Sequence, residues 1–122
     1  MRFLDSFVPK REQSAVDYEF PQYSEQPTSV FESASAAIQH CEAYPDAAQS
    51  FYFRNLGEAP AHGMLFFTAD RGLILGLAVD EQQDDWLLRL KEHAGSSIGY
   101  IAFEEPPKDT VAEFEQRAAA SS

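Results

Sequence analysis

Two neighbouring apolar segments constrain the fold more than any other part of this sequence. Residues 63–69 (GMLFFTA) and 73–79 (LILGLAV) are separated only by Asp70, Arg71 and Gly72. A connection this short predicts a β-hairpin, with Gly72 free to take a positive φ. Side chains alternate between the two faces of a strand, yet both faces of both segments are apolar. A sheet with one face in water would not show this pattern, so we expect the N-terminal segment, the last helix or another chain to cover the second face.

The flanking segments predict an α-β-β-β-α-β-α order. Ser29 and Glu32 form a capping box, and apolar residues at three- and four-residue steps continue a helix to Tyr44. The remaining elements are predicted as strand 50–56, the two hairpin strands, a helix 80–94 capped by Asp80 and closed by Gly95, a strand 98–103, and a helix from about Asp109. A helix between the third and fourth strands makes them parallel. We therefore predict the α+β class, with a four-stranded mixed sheet and helices packed on it.

The chain of 122 residues fits one domain. Residues 1–28 are predicted to form an N-terminal arm that packs on the domain, with an alternating strand pattern at Val16, Tyr18 and Phe20. Residues 29–117 are predicted to form the globular α+β domain. Residues 118–122 are predicted to be a frayed tail.

Charge and cysteine content limit the classes of partner and compartment. Twenty acidic and nine basic residues give a formal net charge of −11, which repels nucleic acid and anionic lipid. We therefore expect no nucleic acid or membrane partner, and the expected protein partner is basic. A single cysteine permits no intramolecular disulfide. The N-terminus lacks the pattern of a secretory signal, and no apolar run is long enough to span a membrane. These features predict a soluble cytoplasmic protein.

The sequence shows no arrangement typical of a catalytic or cofactor site. Its glycines lack the spacing of a phosphate-binding loop, and neither an HxxxH nor a CxxC pattern is present. His40 and Cys41 are adjacent, but neighbours on a helix diverge and do not meet. Cys41 falls on the apolar face of its predicted helix, so we expect a buried, unreactive thiol. We predict no catalytic residues, no metal, no cofactor and no enzymatic activity.

Two groups of acidic residues are the candidate partner-binding surface: Asp80, Glu81, Asp84 and Asp85, and Glu104 and Glu105. Acids at a helix N-terminus and on a solvated face are an alternative explanation. The two groups follow the ends of the third and fourth predicted strands, which are parallel in the predicted topology. We therefore expect both groups to share one edge of the domain, where they would attract a basic protein.

The runs HGMLFFTADRGLILGLAVDEQ, WLLRLKEHAG and SIGYIAFEEPP lie in a small acidic α+β chain, which over residues 29–115 resembles bacterial immunity proteins of polymorphic toxin systems. The resemblance implies a non-enzymatic protein that neutralises one cognate toxin by binding it. A small acidic secretion chaperone, which would hold a client segment on its apolar sheet face, is the first alternative. A small enzyme of unknown chemistry is the second. A homodimer also remains open.

Overall fold

The computed structural model describes residues 2–20, 22, 29–44, 48–102 and 108–120. The predicted α+β class is confirmed. The elements in chain order are α1 (Arg2–Phe7), β1 (Arg11–Gln13), β2 (Tyr18–Phe20), β3 (Ser29–Phe31), α2 (Ala34–Ala43), β4 (Gln49–Asn55), β5 (His62–Phe67), β6 (Leu73–Ala78), α3 (Gln83–Ala94) and α4 (Val111–Ala120).

The larger sheet has four strands in the order β1-β4-β5-β6, and a smaller sheet pairs β2 with β3. Every pairing in both sheets is antiparallel. β5 and β6 form the predicted hairpin, in which Leu65 lies opposite Leu75. The prediction of a mixed sheet is wrong, because the fourth strand is β1 from the N-terminal segment and it runs antiparallel to β4.

No strand is present over residues 98–102 of the predicted fourth strand, and Phe103, its last residue, lies outside the described residues. The segment contacts helices. The Tyr100 ring centroid lies 5.2 Å from that of Phe114 in α4. Gly99 lies against α3, since a Cβ at this position would be 3.0 Å from the nearest side-chain carbon of that helix. The β-like pattern of these residues therefore reflects packing on two helices, and not on the sheet.

One face of the larger sheet packs against the N-terminal half of the chain. Phe51 of β4 and Leu65 of β5 lie at its centre, and neither is exposed (0 %). Gly63 allows α1 and the residue after it to approach closely, because a Cβ there would lie 3.0 Å from Val8 Cγ2 and 3.5 Å from Leu4 Cδ2. Trp86 and Leu90 of α3 pack at the margin of this core. The buried residues of the core are Phe3, Leu4, Phe7, Val8, Tyr18, Phe20, Ala34, Ala37, Cys41, Phe51, Phe53 and Leu65.

The predicted helix start at Ser29 is wrong. Ser29–Phe31 forms β3 and pairs with β2, and α2 begins only at Ala34. Ser33 is the N-cap, since its side chain accepts a hydrogen bond from a backbone amide of the first turn. Val30 is 53 % exposed. The apolar residues around Val30 belong to a short strand that precedes the helix. Their spacing also matches the period of a helix.

Helix α3 also begins later than predicted. It starts at Gln83, and its N-cap is Gln82, which has a φ of 58° and makes no side-chain capping bond. The predicted cap by Asp80 is therefore wrong. At the other end the prediction is confirmed, because Gly95 closes the helix with a φ of 65°.

The terminal segments are more ordered than the sequence suggests. The N-terminal arm contains α1, β1 and β2, and its second strand covers Tyr18–Phe20 but not Val16, which is 90 % exposed. At the other end α4 continues to Ala120, so it includes residues 118–120 of the predicted frayed tail. Ala118 is buried.

The turn between β5 and β6 holds the start of α4. The carboxylate of Asp70 accepts hydrogen bonds from the hydroxyl of Thr68 and from the backbone amides of Val111 and Ala112. The bond from Thr68, followed by those from the two amides, lowers the pKa of Asp70 from its ordinary value. This one carboxylate therefore joins the hairpin to the N-terminus of a helix that begins about forty residues later in the chain.

The positive φ predicted for Gly72 belongs to Arg71, whose φ is 66°. Gly72 is needed for another reason. A Cβ at this position would collide with the side chain of Val111, and it would lie 2.9 Å from the hydroxyl oxygen of Thr68. The glycine therefore lets α4 sit directly against the hairpin turn.

We expect Asp70→Ala to lower the free energy of unfolding at neutral pH, because the first amides of α4 lose their acceptor. The folded-state pKa of Asp70 lies below the unfolded value, so its contribution is present above about pH 3.9. It is lost as the pH falls through the folded-state pKa. Denaturant unfolding of the wild type and the variant should therefore converge in acid.

Asp109→Ala is the matched control, because this carboxylate is exposed near the same helix end and no hydrogen bond to it appears among the described residues. Its effect on stability should be smaller. A difference between wild type and Asp70→Ala that stays constant from neutral to strongly acid pH would contradict the assigned role of the carboxylate.

Candidate functional site

The face of the hairpin opposite the core lines a cleft of about 890 Å³. In the register of the sheet, Phe66 lies opposite Ile74, and Met64 lies opposite both Gly76 of β6 and Tyr52 of β4. These residues are all on the same face, because side chains alternate along each strand. The second apolar face of the hairpin, which the sequence indicates, is therefore the floor of this cleft.

Two helices and the segment between them form the rest of the cleft. Trp86, Leu87 and Leu90 come from α3, Ser96 and residues 98–102 follow it, and Phe114 comes from α4. The sequence predicted that the N-terminal segment, the last helix or another chain covers the second face of the hairpin. The last helix, α4, contributes Phe114 to the cleft on that face. Helix α1 of the N-terminal arm packs in the core on the opposite face. The aromatic pair formed by Tyr100 and Phe114 could not be predicted from the sequence. The two residues are fourteen positions apart, and α4 begins between them, so no helical or strand period relates one to the other.

The cleft follows β6 along its whole length, from Leu73 to Val79. Among the residues that the structure describes, the charged side chains that line it are Lys91 of α3 and Lys108. The other lining residues are mostly apolar or aromatic. A site of this composition suits apolar groups, with few polar groups to fix a small polar ligand in one orientation.

The first predicted acidic group lies where β6 passes into α3. Asp80, Glu81, Asp84 and Asp85 are all exposed, and we call them the acidic surface. Asp80 directly follows the cleft-lining Val79, and Asp84 and Asp85 lie in the first turn of α3. The acidic surface therefore adjoins one end of the cleft.

Glu104 and Glu105, the second predicted group, lie outside the described residues. Their predicted place beside the acidic surface depended on a parallel strand over residues 98–103. Because residues 98–102 form no strand, that argument for a shared edge no longer holds.

A second pocket of about 330 Å³ lies near the start of β4. Tyr18 and Gln49 line it, and the Tyr18 hydroxyl and Gln49 Oε1 are buried without a hydrogen-bond partner among the described residues. Burial raises the pKa of Tyr18. Residues 23–28 and 45–47, which adjoin this pocket in sequence, lie outside the described part of the chain, and we assign the pocket no function.

The potentially reactive side chains lie apart from the cleft. Cys41 is 1 % exposed, and burial, with a smaller effect of Glu42, raises the pKa of its thiol to about 12. His40 is half-buried, and its ring centroid lies 4.4 Å from that of Phe20 and 4.7 Å from that of Tyr44. It therefore serves as one ring of an aromatic cluster.

Among the described residues, no three His, Cys, Asp or Glu side chains form a group that could hold a metal ion. None of the described helices combines the length and apolar character needed to cross a membrane. Comparisons with protein-family models, with curated proteins and with solved structures give no match.

Cys41 should react slowly with a thiol reagent such as a chromogenic disulfide in the native protein, because both burial and a raised pKa suppress the thiolate. The same thiol should react fast after denaturation, which is the internal control. Cys41→Ala should leave partner binding unchanged apart from any loss of stability. Rapid native reaction, at the rate of a free thiol, would show that the residue is accessible.

Proposed function

We propose that this chain is a non-enzymatic protein-binding module of the bacterial cytoplasm, which neutralises a cognate toxin by binding it directly. The observation that carries the proposal is the apolar cleft on the outer face of the hairpin. Met64 and Phe66 are half-buried there, on the face of the sheet opposite the core. Apolar side chains that the fold itself leaves partly open favour a partner that covers them.

The shape of the cleft favours a polypeptide over a small metabolite. It follows a strand of six residues, which is about 20 Å at the rise of an antiparallel strand. A groove of this length accommodates a segment of chain. The acidic surface at its end supplies a charge that would attract a basic partner and raise the association rate.

The chaperone alternative rests on the same face. A secretion chaperone would hold a client segment in the cleft before the client folds, whereas a toxin-neutralising protein would bind an extended segment that a folded domain exposes, and block the activity of that domain. The two roles separate in one measurement: the activity of a captured partner with and without this protein. Loss of a toxic activity on binding supports neutralisation, and a partner that is bound only before it folds supports the chaperone.

The cleft is tested by Met64→Glu, which places a charge among apolar side chains. Binding of a partner captured by the native protein should weaken by more than about tenfold, as expected for an apolar residue at the centre of an interface. Val16→Glu makes the same type of change at a residue that is 90 % exposed and does not line the cleft. Equal binding by both variants, measured by calorimetry, would exclude the cleft as the binding site.

The acidic surface is tested by the double variant Asp84→Lys and Asp85→Lys. Association with the partner should slow at low salt and lose much of its dependence on ionic strength, because the steering charge has changed sign. The control is Asp17→Lys with Glu58→Lys, which alters the net charge by the same amount at exposed residues elsewhere. If both double variants slow association equally in stopped-flow measurements, net charge acts alone and the acidic surface has no specific role.

A further inference from the structure

β6 is an edge strand, and its backbone groups alternate between two sides. The backbone amide of Thr68 donates to the carbonyl of Gly72 at 3.0 Å. In an antiparallel ladder such a bonded pair recurs at every second residue. The register of the hairpin therefore turns the N–H and C=O groups of the even-numbered residues of β6 toward β5. Those that face away from the sheet belong to Leu73, Leu75 and Leu77.

Within the described part of the chain, no residue forms a hydrogen bond with these three outward-facing backbones. Residues 98–102 also line the cleft, yet they form no ladder with β6. An edge of this kind is a template on which another strand can form backbone hydrogen bonds.

The opposite edge of the sheet differs in length and in charge, two properties that control strand addition. β1 has three residues, all polar, and Arg11 is held in an ion pair with Asp5. β6 has six residues, and residues 73–79 include neither a charged residue nor a proline. Short length, charge and proline are the usual means of blocking an edge. β1 is therefore protected against strand addition by its length and charge, whereas the sequence of β6 contains none of these blocking features.

We propose that the partner binds as an extended segment that adds a strand to β6, with alternate apolar side chains in the cleft and basic residues over the acidic surface. This inference rests on the proposed function, and it specifies how the partner is held. Main-chain bonds to Leu73, Leu75 and Leu77 would supply affinity, and the cleft would select side chains.

Charge identifies the occupant. The acidic surface lies immediately beyond the end of β6, whereas the charged side chain that α3 contributes to the cleft is that of Lys91. Basic residues of the segment therefore belong beyond Val79, and its neutral, apolar residues belong beside β6. A second copy of this chain is disfavoured, since two molecules that each carry a net charge of −11 repel one another.

The probes are two fluorescent peptides of about eight residues, enough to span β6, with alternating valine and threonine and a pair of lysines at the N-terminal or the C-terminal end. One of them should bind the full chain in anisotropy measurements at low salt. Replacing its lysines by glutamates should weaken binding by about tenfold or more. If neither lysine peptide binds, the inference is overturned.

Backbone pairing is tested by N-methylation of alternate amides in the binding peptide. Methyl groups on the set that faces β6 should abolish binding, and methyl groups on the other set should change affinity by less than about threefold. This pair of peptides leaves the protein unchanged, so a folding defect does not enter. Equal affinity of both methylated peptides would overturn strand addition.

The protein side of the pairing is tested by Leu73→Pro, with Leu73→Ala as its matched control. Leu73 is 42 % exposed, is the first residue of β6, and directs its N–H away from the sheet, so proline removes no bond to β5. Leu73→Pro should bind the peptide more weakly than Leu73→Ala. Identical affinities would contradict the role of this edge.

Hydrogen exchange of the free protein gives an independent result. The amides of Leu75 and Leu77 should exchange fast, and those of Gly76 and Ala78 should be protected. Protection of both sets would mean that the edge is already occupied. A dimer in sedimentation that Leu73→Pro converts to a monomer would identify a second copy as the occupant, against the proposal.

Failure of this inference differs from failure of the proposed function. If both peptides fail but Met64→Glu still disrupts capture of a folded partner, the cleft binds a partner without strand addition. If Met64→Glu also has no effect, both proposals fall.

Discussion

Helix α1 reaches the larger sheet at Gly63, where a side chain would meet Val8 at 3.0 Å. This approach brings Val8 and Leu4 into the same core as Phe51 and Leu65. Burial of each such side chain contributes about 1.5–3 kcal/mol, a large share of the marginal stability of a small domain. The N-terminal residues therefore complete the core. Because one face of the hairpin is buried in this way, its other face lines the cleft, to which α4 and α3 also contribute, although α3 packs at the margin of the core as well.

The hairpin turn then sets the far wall of that cleft. Asp70 holds the first amides of α4, and Gly72 lets the side chain of Val111 lie against the turn. Phe114, one turn further along α4, contacts Tyr100 and so holds the segment after α3 beside the sheet. The hydrogen bonds of Asp70 at the hairpin turn thereby help to position Phe114 and Tyr100 in the cleft beside the hairpin. The shape of the cleft therefore depends on the contacts of the hairpin turn with α4 as well as on the strands.

Local pattern was sufficient for the hairpin, because strand alternation and a short turn are both encoded within seventeen residues, and Gly95 likewise marked the end of α3. It failed where one pattern fits two structures. The apolar spacing around Val30 suits a helix and also a short strand before a helix, and only pairing with β2 decides between them. Residues 98–102 have strand-forming side chains, but contacts with α3 and α4 take them from the sheet. The acidic surface was visible in the sequence; the cleft, built from strands β4 to β6, α3, the segment after it and α4, was not.

The cleft and the edge of β6 differ in what they could recognise. Backbone N–H and C=O groups are the same in every chain, so strand addition alone would favour any extended segment. Discrimination has to come from side chains, through the apolar lining around Phe66 and Phe114 and through the charges beyond Val79. Lys91 within the cleft would oppose a segment that carries its basic residues in the middle. Selectivity would therefore depend on where along a partner segment the charge lies, as well as on its sign.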